Sequence, residues 1–180
     1  MNGPESIDAL RSSTRILVLG PSGSGKTYLS CHLGKELDLP VIHLDALFWR
    51  PGWISTPQPE WREAVETLIG AERWIMDGTY ESTLDLRLPA ADAVIVIDRS
   101  RWLCLWDVVC RTFAYRNKAR PDAPPGQPLD RPFLRYIWHY RDQTGPLVNA
   151  LIERHFSGRC AMLLHGAHDI KGLITGLRMP

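Results

Sequence analysis

Residues 20 to 27 read Gly-Pro-Ser-Gly-Ser-Gly-Lys-Thr, a G-x-x-x-x-G-K-[ST] run that strongly limits the local folds available. Glycines at 20, 23 and 25 allow positive φ and close approach of backbone to a bulky anion. The successive N–H groups of such a loop turn inward and hold phosphate oxygens. Lys26 supplies a positive charge for β- and γ-phosphates, and the Thr27 hydroxyl is suited to Mg²⁺. Pro21, Ser22 and Ser24 complete the loop. The flanks agree with this reading. Residues 15–19 (Arg-Ile-Leu-Val-Leu) form an apolar run of buried-strand type. Residues 28–39 read as a helix with Leu29, Leu33 and Leu37 on one face. Strand, glycine-rich loop and helix together place a polyphosphate at a helix N-terminus.

The rest of the chain alternates strand and helix, which argues for α/β architecture with a parallel sheet covered on both faces. Strands are expected at 41–44, 74–76, 93–97 and 160–164, after the first at 15–19. Helices are expected at about 59–69, with Thr56 as its cap, and at about 101–116, 133–140, 146–156 and 169–177. Residues 1–14 are polar and carry acids, so they read as a loose tail ahead of a single domain over 15–180. Residues 117–132 hold Pro121, Pro124, Pro125, Pro128, Pro132 and Gly126. A loop of that length in a compact domain reads as a lid.

The chain has 180 residues and is 44% apolar, enough for one buried core. No apolar run approaches the roughly 20 residues of a membrane span. No apolar leader segment is visible, and Cys31, Cys104, Cys110 and Cys160 lack C-x-x-C spacing. The expected compartment is therefore a reducing cytoplasm, without structural metal or disulfides. The net charge of +1 says nothing about partners, but its distribution does. From 99 to 141 there are eight arginines and Lys118 against Asp107, Asp122 and Asp130. That surplus calls for an anionic partner or a solvated surface.

Several residues carry candidate chemistry. Asp77 ends the third strand, where ligands of a doubly wound sheet collect, and can orient Mg²⁺ or meet an acceptor; a turn-capping role has the same sequence signature. Gly78 lets a substrate lie close. Asp45, after the second strand, can take a proton from an acceptor hydroxyl, hold the substrate, or cap a helix. Arg87 can clamp an acceptor anion or pair with Asp85. Arg111, Arg116, Arg120, Arg131, Arg135 and Arg141 bracket the lid, where guanidinium forks can neutralise a moving phosphoryl group. Arg111 and Arg116 are expected on nucleotide, and Arg135 and Arg141 on substrate. Trp49 and Trp53 can wall a pocket for a planar substrate or cover the core. Trp102, Trp106 and Trp138 are expected to pack, and His165 and His168 lie where a base can stack.

With these residues in place, the chain resembles adenylate-kinase-related proteins of the DNA topology modulation (FlaR-like) family. The likeness rests on residues 20–27 and on Val-Ile-His-Leu-Asp-Ala-Leu-Phe-Trp-Arg-Pro-Gly-Trp at 41–53. It continues in Trp-Ile-Met-Asp-Gly-Thr-Tyr at 74–80, Leu-Asp-Leu-Arg at 84–87 and Asp-Arg-Ser-Arg-Trp-Leu-Cys-Leu-Trp at 98–106. The resemblance implies a P-loop, nucleoside-monophosphate-kinase-like α/β/α fold, a five-stranded sheet of order 2-3-1-4-5, and a lid. It implies ATP with Mg²⁺, phosphate and metal binding by Gly25, Lys26 and Thr27, and Asp77 as the strand-end acid. Arg116 matches the lid-entry arginine by position. Thr79-Tyr80 replaces the Pro-Arg that grips a nucleotide acceptor, and the lid has no cysteines for zinc, so the acceptor stays open. The expected activity is ATP-dependent phosphoryl transfer to a small acceptor, with Lys26, Asp77, Asp45 and Arg116 catalytic. The alternative is an ATP-binding regulator of DNA topology acting through an arginine-rich surface without turnover. Monomer and dimer are both open.

Overall fold

A computed structural model of the chain describes residues 4–115, 120 and 122–179. The chain begins with α1 (Pro4–Ser12), β1 (Arg15–Leu19), α2 (Lys26–Glu36) and β2 (Val41–His43). A short α3 (Leu44–Phe48) and a hairpin of β3 (Trp49–Arg50) and β4 (Ile54–Ser55) follow. Next come α4 (Gln58–Ile69), β5 (Trp74–Asp77), a 3-10 turn at Glu81–Thr83, α5 (Leu84–Ala90) and β6 (Ala93–Ile97). The second half holds α6 (Arg101–Ala114), α7 (Arg131–His139), α8 (Thr144–His155), β7 (Cys160–Leu164) and α9 (Ala167–Arg178).

Five strands form a parallel sheet of order β2-β5-β1-β6-β7. Counted without the hairpin strands, that order is 2-3-1-4-5. The hairpin itself is absent from the sequence expectation, because two-residue strands carry no periodicity. The central strands β1, β5 and β6 are buried almost throughout, as their near-continuous apolar sequences require, while edge strands β2 and β7 are partly open. One face of the sheet packs Ile16, Val18, Ile75 and Ile95 with Leu29 and Leu33 of α2 and Ile170 and Leu173 of α9. The other packs Leu17, Leu19, Met76 and Val94 with Leu84 and Leu88 of α5 and Val148 of α8. A third cluster joins Leu44 and Phe48 of α3 to Trp61 and Val65 of α4.

The expectation of a loose tail over 1–14 differs from the structure over its described part. Residues 4–12 are the helix α1, whose Leu10 is fully buried in the sheet core. Ile7 lies so close to α9 that a Cβ on Gly176 would fall 2.6 Å from it. The i, i+3 spacing of Ile7 and Leu10 gives a short apolar face that a polar composition hides. Thr56 does not cap α4; its hydroxyl donates to the Phe48 carbonyl at 2.7 Å and closes the hairpin. Trp102 and Trp106, expected to pack, are 67% and 66% exposed on α6. Trp138 does stack edge-on against Trp102, at 4.7 Å. Among the described residues no helix is long and apolar enough to cross a membrane.

Candidate active site

The sheet register sets the site. Val18 pairs with Asp77, and the Gly78 N–H donates to the Val18 carbonyl, so the loops after β1 and β5 leave the sheet side by side. Gly20, Gly23 and Gly25 take φ of 143°, 80° and 101°. A Cβ on Gly23 would sit 2.3 Å from the Cys104 carbonyl oxygen, so α6 presses on the loop from behind. Arg99 donates to the Gly23 carbonyl at 3.0 Å and pairs with Asp107. Thr79, missed in the sequence, bridges the two loops: its hydroxyl accepts from Gly20 N–H at 3.1 Å and donates to the Gly20 carbonyl at 2.9 Å.

The loop delivers its last residues into the first turn of α2, whose N-terminus has no side-chain cap. Its free N–H groups are an anion site. Ser24 Oγ of the loop and Arg111 Nε are buried and have no hydrogen-bond partner among the described residues. Pro21 and Ser22 belong to the same turn; the Lys26 ammonium donates to the Pro21 carbonyl at 2.9 Å, and Arg111 reaches Ser22 Oγ at 3.3 Å. These residues fit the polyphosphate of ATP. Thr27 Oγ1 donates to Asp77 Oδ2 at 2.7 Å and lies 3.4 Å from Asp122 Oδ2. A hydroxyl with nearby carboxylates is a hard oxygen set that suits Mg²⁺. His43 Nδ1 sits 3.0 Å from the same Asp77 oxygen; that hydrogen bond raises the imidazole above its ordinary range, against the opposing effect of burial.

The lid segment that is described folds onto this loop. Arg120 grips Asp122 with Nε–Oδ1 and Nη2–Oδ2 contacts of 3.1 and 2.6 Å. Burial opposes the Asp122 charge, but the Arg120 hydrogen bond and the charges of Arg120 and Arg111 outweigh it and hold the carboxyl below the usual range. Arg111 and Arg120 both donate to Gln127 Oε1 at 2.9 Å. The Trp53 indole donates to the Pro125 carbonyl at 3.0 Å and ties the hairpin to the lid. Arg116 and Lys118 lie outside the described residues, as does residue 121. Asp122 and Gln127 had no motif to announce them, because only the fold brings residue 122 to within reach of residue 27.

Beside the phosphate loop opens a cavity of about 530 Å³. Gly20, Ser22 and Lys26 form one end, and Asp45, Gly78 and Tyr80 the adjoining wall. Asp45 lies in the first turn of α3 and is not its cap, which is His43. Its carboxylate accepts from the Tyr80 hydroxyl at 2.6 Å. Burial pushes the Asp45 carboxyl above the ordinary range; the Tyr80 hydrogen bond and Lys26 charge restrain the rise. Tyr80 holds a left-handed conformation at φ 37°, and a Cβ on Gly78 would crowd its ring at 3.1 Å. Trp49 and Trp53 both line the cavity and stand 5.4 Å apart.

The three arginines expected on substrate are elsewhere. Arg87 neither clamps an anion nor pairs with Asp85, which is taken by Arg62 at 2.9 Å. It is fully buried and donates to the carbonyls of Gly78, Thr79 and Tyr80 and to Thr83 Oγ1. Burial lowers it to about 9, so it stays charged at neutral pH and fixes the strained Tyr80 turn. Arg135 is exposed on α7, and Arg141 is exposed and 3.3 Å from Asp98; neither lines the cavity. Arg131 is exposed as well. His165 is exposed, 3.9 Å from Asp98, and His168 is exposed on α9.

No protein-family model and no curated protein matches the chain. Solved structures do. A shikimate kinase from Acinetobacter baumannii in complex with shikimate aligns at TM-score 0.57 and 16% identity, over 94% of this chain and 93% of its own. A shikimate kinase from Bacteroides thetaiotaomicron aligns at 0.54 and 13%, over 93% and 97%. A gluconokinase from Sinorhizobium meliloti 1021 aligns at 0.50 and 16%, over 91% of each chain. The chain shares the fold of these structures, a five-stranded parallel sheet with helices on both faces. At such identities the likeness is one of fold, and the FlaR-like resemblance rests on the sequence blocks alone.

Proposed function

We propose that this chain transfers the terminal phosphoryl group of Mg-ATP to a hydroxyl of a small acceptor bound in the cavity beside the phosphate loop. One observation carries the reading: Lys26 of the phosphate loop and the carboxylate of Asp45 line the same 530 Å³ space. A hydroxyl bound there would lie between the donor phosphate and a base.

The N–H groups of residues 23–27 and the Lys26 ammonium hold and orient the polyphosphate and meet charge that grows on the transferred group. Thr27 and Asp77 would hold Mg²⁺, with Asp122 as a further candidate ligand. The chemistry supplied by a bound Mg²⁺ would be charge neutralisation on the donor polyphosphate. Asp45 accepts the acceptor's hydroxyl proton; a carboxyl raised by burial is a stronger base for that task. Tyr80 orients Asp45, and Arg87 locks the Tyr80 turn. Arg111 and Arg120, with Arg116, are the lid cations for the donor phosphates. The lid excludes water, which would otherwise compete as acceptor. No observation favours the DNA-directed alternative: Arg131, Arg135 and Arg141 are exposed, as solvated surface arginines commonly are, and Arg99, Arg111 and Arg120 make contacts inside the molecule. A cytoplasmic location suits an ATP-consuming enzyme of this kind.

The test is ADP release from Mg-ATP by the full chain across a panel of nucleosides, nucleotides and hydroxylated metabolites. The expected result is release stimulated by one acceptor class and reduced at least tenfold by Lys26→Ala and by Asp45→Asn. Tight ATP binding with no stimulated release by any acceptor would refute the reading.

A further inference from the structure

The acceptor cavity is unusual in its charge. Among the described residues that line it, the charged groups are Lys26, Asp45, Glu81 and Asp130. Lys26 belongs to the phosphate loop and is committed to the donor side. The remaining three are acids. The Asp130 carboxylate caps α7 by accepting the Phe133 N–H at 2.9 Å, and Asp45 accepts from Tyr80. Glu81 follows Tyr80 at the start of the 3-10 turn and stays partly open toward the cavity.

Among the described residues no arginine lines the cavity; the charge of Arg111, at its rim, reaches Asp45 and leaves Glu81 and Asp130 uncompensated. Arg87 is buried behind the wall and spent on carbonyls. Arg62 is paired with Asp85, and Arg50 with Glu60. Arg111 is turned toward Ser22 and Gln127. An anionic acceptor would enter a space next to the partly buried carboxylates of Asp45 and Glu81, where screening is weaker than in bulk water and like charges repel; Asp130 is exposed and adds less. The remainder of the wall is aromatic: Phe48, Trp49, Trp53, Tyr80, Phe133 and Tyr136. Such faces favour planar rings by stacking and cations by their quadrupole.

We propose that the acceptor is a ring-bearing alcohol without phosphate or carboxylate, neutral or cationic, of the class of nucleosides and aromatic amino alcohols. This rests on the reading of the cavity as an acceptor site, and deepens it. It also excludes nucleoside monophosphates, the acceptors for which arginine clamps are built. The chemistry is that given above: the acceptor oxygen bonds to the γ-phosphorus of ATP, the bond from that phosphorus to the bridging oxygen breaks, ADP leaves, and the hydroxyl proton passes to Asp45.

The test uses pairs that differ in one anionic group: adenosine and AMP, cytidine and CMP, tyrosinol and tyrosine. Binding is read by quenching of tryptophan fluorescence with a non-hydrolysable ATP analogue present, and turnover by ADP release with Mg-ATP. The expected result is a Kd for the non-anionic partner at least tenfold lower in at least one pair, with no pair reversed. Glu81→Lys should narrow that ratio at least threefold. Equal or tighter binding of the anionic partner would overturn the proposal, and so would failure of every non-anionic compound to bind. The preference in binding with no ADP release would retain the cavity's ligand class while defeating the kinase reading, so the two fail separately.

Discussion

Tyr80→Phe removes the one side-chain donor that Asp45 has among the described residues. The Tyr80 hydroxyl sits 2.6 Å from Asp45 Oδ1, in a site where burial already pushes the carboxyl up. A hydrogen bond to a charged acceptor contributes about 1.5–3 kcal/mol, whereas one to a neutral acid contributes about 0.5–1.5 kcal/mol. The difference, on the order of 1–2 kcal/mol, falls on the ionised form alone. At 1.36 kcal/mol per unit, Asp45 should titrate about one unit higher in the variant. If Asp45 is the base, the acid limb of kcat/KM for ADP release should move up by about that amount. Above the limb the variant should recover much of its rate, since the base is intact. Stability gives a second readout that needs no acceptor. A carboxyl raised in the folded state costs nothing while protonated in both states. Its penalty grows as pH rises from the unfolded value of about 3.9 through the folded value, then levels off. The variant's loss in thermal stability should therefore be smallest near pH 4, where only the bond to the neutral acid is missing, and grow to a plateau above the folded titration, a drop of several degrees for a chain of this length. A loss that is the same at every pH, or an acid limb that stays in place, would refute the argument that Tyr80 tunes the charge of Asp45.

Other outcomes follow from particular contacts. Leu10→Ala should lower stability by about 2–5 kcal/mol in denaturant titration, because α1 belongs to the core; a change below about 0.5 kcal/mol would return it to a loose tail. Gly23→Ala places a methyl against the Cys104 carbonyl at positive φ, so ATP affinity by calorimetry should fall at least about tenfold, roughly 1.4 kcal/mol, with the helical signal retained. Trp53→Phe removes the indole bond to Pro125, worth about 0.5–1.5 kcal/mol. Hydrogen exchange over 122–130 should then quicken several-fold, while the sheet strands are unaffected.

The phosphate loop was legible because its function needs a fixed order of residue types over eight contiguous positions. Gly20, Gly25, Lys26 and Thr27 therefore announce themselves. The sheet strands were legible because β1, β5 and β6 are buried on both faces and must be apolar throughout. Helix α1 was not, since two apolar residues one turn apart look like noise until a partner helix is known. The roles of arginines were illegible for a related reason. Arg87, Arg135 and Arg141 share one chemistry, and only tertiary placement separates a guanidinium buried on three carbonyls from two exposed to solvent. The same holds for Asp122, whose carboxylate reaches Thr27 across 95 residues of chain. Local sequence determines what a backbone segment can do by itself: turn tightly, strand or coil, cradle a phosphate. Which charges face the cavity, and that it holds acids and aromatic rings where arginines were expected, was decided by long-range packing, because a side chain's partners depend on neighbours that the linear order does not bring near.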